Sequence, residues 1–277
     1  MKRAHARSMS SRPRRMVRRA SHTIGLRRKR ISWLFLLGVN NSGTTLLENI
    51  LGRHAGISKL PEEGQYLSHV LPRPNLLKVR RIWTERLEMF RKVPEEGGGM
   101  SAARLKWDWL CHHPVDDASR WLMEKSPPNT VRGPWLQRHF RPASFLALAR
   151  SPYAVAEGIR RREGHPVERG ARHWAIANRI MIDDLERLDH ALLLRYEDLC
   201  ADPSKEMSRI TRFLDIDPYP DELLRDLLPV HNVTGRSSLI RDFNGSSLER
   251  LSGDDIRTIE DIAGDVMGRL GYALESG

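Results

Sequence analysis

The sequence predicts a three-layer α/β fold in which helices flank both faces of a parallel sheet. Apolar runs of strand length alternate along the chain with stretches of helical period, a pattern typical of parallel strands buried on both faces. The chain has 277 residues, and a single α/β domain of that size can bury a large core. No internal repeat interrupts the alternation. We therefore expect one domain over residues 31–277.

Each predicted element rests on a local pattern. The strands are short apolar runs, and they lie at 32–39, 121–124, 144–149 and 191–194. The helices between them are predicted at 44–51, 130–140, 153–162 and 168–188. In the longest helix, Trp174, Ala177 and Met181 recur at steps of three and four residues and mark the face directed to the core.

One more helix is predicted at the end of the chain, beginning near Ser252. The Ser252 hydroxyl can cap this helix together with Asp255, three residues further on. The segments 61–99 and 218–247 are rich in proline, glycine and polar residues, and they predict long loops with short helices. Such loops often carry the binding residues of a protein, so we expect them to cover the ligand.

The positive charge of the chain is confined to its first 30 residues. The whole sequence carries 46 Lys and Arg against 35 Asp and Glu, but residues 1–30 hold 12 of the basic residues and no acidic one. Residues 31–277 are therefore nearly neutral, with 34 basic and 35 acidic residues. We expect residues 1–30 to be a disordered tail that touches acidic surfaces nonspecifically. Specific nucleic-acid binding is not expected, because its basic residues would lie on a folded face.

The tail also has features of targeting signals. Its Arg-rich, Ser-rich and acid-free composition is that of an organellar transit peptide, and the basic run 27–30 before an apolar stretch resembles a twin-arginine signal. That stretch is needed as the first strand, and no segment approaches 18 apolar residues. We expect a cytoplasmic protein without a transmembrane segment; organellar import or peripheral membrane association through residues 1–30 are the alternatives.

The two cysteines indicate neither a disulfide framework nor a metal site. Cys111 and Cys200 lie 89 positions apart, without C-x-x-C spacing or a cluster of other metal ligands. Two reduced structural thiols and no bound metal are therefore expected.

The segment between the first predicted strand and helix, GVNNSGTT at 38–45, has the composition of a phosphate-binding loop. Gly38 and Gly43 permit a tight turn, successive N–H groups can surround an anion, and the following helix adds its positive end. The glycine spacing matches the nucleotide-hydrolase pattern G-x-x-x-x-G-K-[ST], but Thr44 stands where that pattern has lysine. The loop predicts a phosphate-type ligand and argues against an ordinary ATP or GTP hydrolase.

Two other predicted strands end in residues that can bind anions. Lys125 and Ser126 follow the second strand, and Arg150 follows the third, ahead of a helix with the arginine run 160–162. Ligands of open parallel sheets bind outside the carboxyl ends of the strands. We therefore expect the glycine loop, Lys125 and Arg150 to meet at one crevice.

Together these motifs resemble the sulfotransferases that use 3'-phosphoadenosine 5'-phosphosulfate, and most of all their bacterial and tyrosyl-protein branch. The motifs are SGTTLL at 42–47, KSPP at 125–128, RSPY at 150–153, RYEDL at 195–199 with DP at 202–203, and LGY at 270–272. The resemblance implies a P-loop NTPase-like fold, this phosphosulfate as the co-substrate, and no metal. It also implies an acceptor with a hydroxyl group, which leaves carbohydrate, peptide tyrosine, lipid and small alcohol open.

The resemblance assigns donor-binding roles to individual positions. The backbone and hydroxyls of the 5'-phosphosulfate loop correspond to Ser42, Gly43, Thr44 and Thr45. Arg150 corresponds to the residue that holds the 3'-phosphate, and Tyr196 to a tyrosine that contacts the adenine side.

It also suggests the catalytic residues. Lys125 corresponds to a lysine near the transferring sulfuryl group. The base of the tyrosyl-protein branch corresponds to Glu63 or Glu62; we favour Glu63, whereas ungapped counting from the glycine loop favours Glu62. Rival bases are the histidines His54, His69, His112 and His113.

Three positions depart from the family pattern. Asn41 stands where the family usually has Lys or Arg, and Gly158 where it has a serine on the 3'-phosphate, although both are expected to lie at the donor site. We expect Lys125 to carry more of the charge stabilisation, and Ser151 or the run 160–162 to replace the serine. The usual late tryptophan is replaced by Leu248.

Two other functions stay open at the level of sequence. A P-loop kinase of small molecules or nucleotides would use the same loop on ATP and Mg²⁺, although Thr44 replaces the lysine that such chemistry needs. A protein without enzymatic activity would bind nucleic acid or an anionic surface through residues 1–30.

Overall fold

A computed structural model describes residues 31–91, 101–112, 119–226, 228–229 and 237–275. The main strands are β1 (Ser32–Leu37), β2 (Ile57–Lys59), β3 (Trp121–Glu124), β4 (Ala143–Ala149) and β5 (Ala191–Arg195). They form one parallel sheet in the order β2-β3-β1-β4-β5. The predicted α/β fold class is confirmed. The expected tail at 1–30 lies outside the described residues.

Helices cover the sheet and lie within the segments that connect its strands. They are α1 (Thr44–Leu51), α2 (Gly64–Leu67), α3 (Leu87–Arg91), α4 (Ser101–His112), α5 (Gly133–His139), α6 (Pro152–Glu163), α7 (Val167–Leu185), α8 (Tyr196–Ala201), α9 (Pro203–Leu214), α10 (Asn244–Leu248) and α11 (Gly253–Arg269). Short 3-10 helices span Trp83–Arg86, Pro127–Val131 and Asp221–Leu224. Strands β6 (Leu228–Pro229) and β7 (Ser237–Ser238) pair antiparallel. None of the helices in the described ranges is long and apolar enough to cross a bilayer.

The central strand β1 shows why the sheet needs cover on both faces. Trp33, Phe35 and Leu37 belong to one buried cluster, and the intervening Leu34 and Leu36 belong to another. Successive side chains of a strand point to opposite faces, so the continuous apolar run fills two cores. The first core packs against α6, α7 and α11, and the second against α1, α8 and α9.

The structure divides one predicted helix and adds a strand to the sheet. The helix predicted at 130–140 is divided into a 3-10 turn and α5, because Pro134 has no N–H to donate to the carbonyl of Thr130. Strand β2 was not predicted, since three residues are too few to show a period. The predicted cap of α11 is confirmed: Ser252 and Asp255 form a reciprocal capping box.

Candidate functional site

Three predicted anion-binding elements meet at the carboxyl edge of the sheet. Strands β3, β1 and β4 are neighbours in that order, so the segments that follow them emerge side by side. The glycine loop follows β1, Lys125 follows β3, and Arg150 follows β4. All three contribute to the wall of one cavity of about 1020 Å³.

Both glycines of the loop are needed for its backbone and its close packing. Gly38 and Gly43 have φ angles of 150° and 95°, where side chains are strained. A Cβ on Gly38 would lie 2.7 Å from the Leu148 carbonyl oxygen, and a Cβ on Gly43 would lie 2.5 Å from Cδ2 of Tyr196. The Gly38 N–H also donates to Oγ1 of Thr130 at 2.8 Å. The conformation of the loop is therefore fixed by its own packing and by Thr130.

The predicted phosphosulfate-binding residues divide into two groups. Gly43, Thr44 and Thr45 line the cavity, and because α1 begins at Thr44, its first N–H groups lack acceptors within the helix. Ser42 is buried beneath them, where its hydroxyl donates to the Val39 carbonyl at 2.7 Å. Thus Gly43, Thr44 and Thr45 are placed to hold an anion, whereas the Ser42 hydroxyl supports the loop.

Arg150 is held rigidly beside the glycine loop. Its guanidinium stacks 4.0 Å from the ring centre of Tyr196. Its Nη1 donates to the Asn41 carbonyl at 3.0 Å, and its Nε donates to Oδ1 of Asn244 at 2.8 Å. The Tyr196 hydroxyl donates in turn to the Arg241 carbonyl at 3.0 Å. A planar cation fixed in this way is suited to a phosphate group.

Glu197 connects three of the sequence motifs beneath Arg150. Its Oε1 accepts from Nδ2 of Asn244 at 2.7 Å and from the Ser151 N–H at 2.9 Å. Its Oε2 accepts from the Tyr272 hydroxyl at 3.0 Å. The motifs at 150–153, 195–199 and 270–272 therefore assemble around one carboxylate, which orients Asn244 and through it Arg150.

Glu63 and Lys125 form a shielded ion pair on the opposite side of the cavity. Nζ of Lys125 lies 2.9 Å from Oε1 of Glu63 and 3.5 Å from Oε2 of Glu48, and the Lys125 side chain is only 4% exposed. Burial disfavours the ammonium, but Glu63 and Glu48 outweigh that cost and raise the pKa of Lys125. Oε2 of Glu63 accepts from Nε2 of Gln65 at 2.7 Å. Of the two candidate bases Glu62 and Glu63, it is therefore Glu63 that is fixed beside Lys125.

The other candidate bases lie in different surroundings. Glu62 lines the cavity but is exposed. His54 is bonded to backbone, with Nε2 2.9 Å from the Asp217 carbonyl oxygen and Nδ1 accepting from the Gly56 N–H. His69 and His112 are exposed and lie outside the cavity wall, and His113 is outside the described residues.

A buried carboxylate fixes the backbone next to Glu63. Glu124 accepts from the Gly64 N–H at 2.9 Å and from the side chains of Ser126 and Asn129. A Cβ on Gly64 would lie 2.6 Å from the Trp109 ring, so this contact also requires glycine. The loop that carries Glu63 is therefore held by β3 from below.

The ionisation of Glu124 should affect stability near neutral pH. Burial raises its pKa to about 7, although the hydrogen bonds from Ser126 and Gly64 oppose the rise. Between the ordinary value of 4.5 and about 7, the folded protein holds a proton that the unfolded chain releases. The contribution of Glu124 to the free energy of unfolding therefore falls as pH rises through that window.

We expect this decline to be smaller in Glu124→Gln, which has no titrating group at that position. Urea unfolding of both proteins at pH 5 and pH 7.5 measures the difference. The buried His173, whose pKa burial lowers to about 3, is present in both and cancels. An equal pH dependence in the two proteins would contradict the assignment.

The structure places the remaining predicted residues as follows. Asn41 and Gly158 both line the cavity, whereas Ser151 and Leu248 do not. Of the arginine run, Arg161 and Arg162 line the cavity, and Arg160 instead pairs with Asp255 at 2.9 Å. Cavity residues contributed by the two long loops were not predicted individually; the sequence signal for them was the position of the loops. They include Arg80, Arg81, Arg241, Phe243, Ser246 and Ser247, and Arg250 joins them from just beyond the second loop.

The cavity is strongly positive although residues 31–277 are nearly neutral. Among the described residues, its wall contains nine cationic side chains against the three carboxylates Glu48, Glu62 and Glu63. The cations are Lys59, Arg80, Arg81, Lys125, Arg150, Arg161, Arg162, Arg241 and Arg250. In the described part of the chain, no group of three or more His, Cys, Asp or Glu is arranged to hold a metal ion. The arrangement suits a ligand that carries several negative charges.

Comparison with known proteins identifies the family. A model of the sulfotransferase family matches residues 34–221, more than half of the chain. The chain belongs to the sulfotransferase family. It is therefore a transferase, and the kinase alternative is not favoured. The predicted resemblance to this family is confirmed.

This sulfotransferase is similar to curated tyrosyl-protein enzymes. It is 25% identical over 264 residues to protein-tyrosine sulfotransferase A of Caenorhabditis elegans, and the match covers 87% of this chain and 67% of that protein. It is also 25% identical over 266 residues to the protein-tyrosine sulfotransferase of Drosophila melanogaster, with coverage of 86% and 51%. The chain thus spans about half the length of the fly protein.

Solved structures support the fold. The sulfotransferase domain of the Synechococcus PCC 7002 olefin synthase is 24% identical with a TM-score of 0.55, and the match covers 85% of this sulfotransferase and 95% of that domain. Sulfotransferase STF9 of Mycobacterium avium is 12% identical with a TM-score of 0.55, and the match covers 95% and 83%. The P-loop NTPase-like fold implied by the sequence is confirmed.

Proposed function

We propose that this sulfotransferase transfers the sulfuryl group of 3'-phosphoadenosine 5'-phosphosulfate to a hydroxyl group of an acceptor. The observation that carries the proposal is the meeting of the glycine loop, Arg150 and the Glu63–Lys125 pair at one positive cavity. This set provides two anion-binding elements and an acid–base pair. A sulfuryl transfer from a doubly phosphorylated donor requires these components and no metal ion.

The residues of the cavity fit this donor. Gly38 and Gly43 permit the backbone turn of the loop, and the free N–H groups at the start of α1 can bind the 5'-phosphosulfate through Gly43, Thr44 and Thr45. Arg150, flat against Tyr196, can hold the 3'-phosphate on the other side of the loop. The excess of cations offsets the negative charge of the donor.

The chain contributes positioning and charge to the transfer. The donor supplies an activated sulfuryl group whose leaving group is adenosine 3',5'-bisphosphate. The Glu63 carboxylate accepts the proton of the acceptor hydroxyl, whose oxygen forms the new bond to sulfur while the bond from sulfur to the 5'-phosphate oxygen breaks. The 5'-phosphate oxygen takes the electron pair of the broken bond. Nζ of Lys125 lies beside Glu63 and can stabilise the negative charge that develops on this oxygen.

A peptide tyrosine is the acceptor to test first. The two curated relatives are named protein-tyrosine sulfotransferases, which favours a phenolic hydroxyl in a peptide. Carbohydrate, lipid and small alcohol acceptors form the rest of the panel. Incubation with the phosphosulfate donor and the panel, read by mass spectrometry, should show one acceptor gaining a sulfuryl group. Transfer from ATP alone, with no gain from the phosphosulfate, would rule the proposal out.

Arg150→Ala tests the binding of the donor. We expect the variant to lose roughly 10- to 100-fold in affinity for adenosine 3',5'-bisphosphate, because a hydrogen bond to a charged group contributes about 1.5–3 kcal/mol. Its affinity for adenosine 5'-phosphate, which has no 3'-phosphate, should change much less. Calorimetry with both nucleotides measures the two affinities. A variant that still prefers the bisphosphate as strongly as the unaltered protein would contradict the role of Arg150.

A further inference from the structure

The two departures from the family pattern at the donor site, Asn41 and Gly158, lie in direct contact. A Cβ on Gly158 would lie 3.1 Å from Nδ2 and 3.3 Å from Cγ of Asn41. This is tighter than most contacts of a real side chain, so a serine at 158 would force Asn41 to move. Asn41 has a φ of 69°, a region that asparagine tolerates better than most residues. The two departures from the family pattern therefore depend on each other, because the Asn41 side chain can take this position only if residue 158 is glycine.

The Asn41 side chain holds an arginine from the loop at 61–99. Nη1 of Arg81 donates to Oδ1 of Asn41 at 3.1 Å, and its Nε donates to Oε1 of Glu163 at 2.8 Å. Glu163 is the last residue of α6, the helix that also carries Gly158. Arg81 is thus fixed between the glycine loop and α6, and only 17% of its side chain is exposed.

The charge of Arg81 acts within the cavity. Arg81 lines the cavity wall. Among the described residues, its Nε and Nη1 have hydrogen-bond partners and its Nη2 has none, so Nη2 can donate to a ligand. Its positive charge also affects Arg162. Burial is the main reason that the pKa of Arg162 is lowered to about 10, and the positive charges of Arg81 and Arg161 lower it further. The backbone of Asn41 also touches the donor site, since its carbonyl accepts from Arg150.

We propose that Arg81 is a donor-binding residue that supplies, from a separate loop, the positive charge that Asn41 does not bring to the glycine loop. Asn41 serves as its attachment point, and residue 158 is glycine because the amide of Asn41 occupies the space beside it. The inference rests on the proposed function, because it assigns Arg81 to the phosphates of the donor. It adds a residue that neither the glycine loop nor the strand ends contain.

Binding of adenosine 3',5'-bisphosphate by calorimetry tests the proposal on four proteins. The first is the unaltered chain, which must bind the nucleotide if the proposed function holds. Arg81→Gln should bind the nucleotide at least about tenfold more weakly, because one charge-assisted hydrogen bond is lost. Arg172→Gln is the matched control, since Arg172 pairs with Glu168 on the exposed surface of α7 and should leave the affinity unchanged.

The fourth protein separates charge from support of the loop. Asn41→Lys combined with Arg81→Gln returns a cation to the glycine loop itself, and it should recover most of the lost affinity. A purely structural Arg81 would give no recovery, because the double variant lacks both ends of the Arg81–Asn41 contact. Circular dichroism and thermal unfolding must first show that Arg81→Gln is folded. If it is not, two other variants test the proposal. Arg81→Lys, which keeps the charge, must then bind the nucleotide at least tenfold more tightly than a folded Arg81→Met.

The outcomes distinguish this inference from the proposed function. No binding by the unaltered chain overturns the proposed function. Binding by the unaltered chain together with equal binding by Arg81→Gln overturns the role of Arg81 alone. Weak binding by Arg81→Gln that is restored neither by the lysine at position 41 nor by Arg81→Lys also overturns it, because the arginine would then only support the loop.

Discussion

Replacement of Glu63 by glutamine should reduce turnover by roughly 10²- to 10⁴-fold while the affinity for adenosine 3',5'-bisphosphate stays within about twofold of the unaltered protein. The amide is nearly the same size as the carboxylate and can keep one contact to Lys125, but it cannot accept the proton of an acceptor hydroxyl. Steady-state kinetics with the acceptor found by mass spectrometry gives the turnover. Calorimetry gives the nucleotide affinity.

Glu62→Gln is the matched control for this prediction. Glu62 precedes Glu63 and lines the same cavity, but it is exposed, whereas Glu63 is fixed by Lys125 and Gln65. We expect Glu62→Gln to retain turnover within about threefold, since an exposed carboxylate has no fixed relation to the reacting atoms. If Glu62→Gln is the inactive variant, the assignment of the base passes to Glu62, as counting from the glycine loop suggested.

The sequence was sufficient for the elements that depend on local pattern. Four of the five strands of the parallel sheet and the helices α1, α6, α7 and α11 follow from the period of the apolar residues, and the parallel order then places Lys125 and Arg150 beside the glycine loop. From the sequence alone, the motifs at 195–199 and 270–272 were supported only by the family resemblance, and there was no physical explanation for their residues. The structure supplies one, because Glu197 and Tyr272 form the support beneath Arg150.

The contribution of the long loops could not be predicted from the sequence. Arg81 lies 40 positions from Asn41, and nothing in the composition of segment 61–99 singles it out from Arg80, which is 66% exposed. Its proposed role depends on the position of the Asn41 side chain, which lies against Gly158 where there is no side chain. Such long-range coincidences of shape have no periodic signature, so they appear only in the folded molecule.

A nearly neutral body is compatible with the binding of the highly charged donor proposed above. Several surface cations of the fold are neutralised by local pairs such as Arg172 with Glu168 and Arg179 with Asp265. At the cavity, Arg81 also pairs with Glu163, and Arg161 and Arg250 pair with Glu157, but neither carboxylate lines the wall. Among the described residues that do line it, cations outnumber carboxylates by three to one. The net charge of the sequence therefore gives no information about this site, and the distribution of charge around the sheet edge decides what can bind.

Replacement of Lys125 by methionine should be nearly as damaging to turnover as the loss of Glu63. We expect a fall of roughly 10²- to 10³-fold, the usual cost of removing one group that stabilises developing charge in a transition state. Methionine preserves much of the apolar stem of the lysine. Lys205→Met, on the exposed surface of α9, is the control and should keep full activity. Turnover measured at saturating donor separates this loss from weaker donor binding.

Lys125→Met should also lower stability, and a second substitution can separate the two effects. Without the ammonium, the carboxylates of Glu63 and Glu48 face each other in a shielded site, so the free energy of unfolding should fall. Adding Glu48→Gln removes one of the two charges and should recover part of that stability in urea unfolding. It should not recover turnover, because in the proposed mechanism the missing cation acts on the leaving oxygen and Glu48 does not. Recovery of both together would mean that Lys125 only maintains the fold of the site.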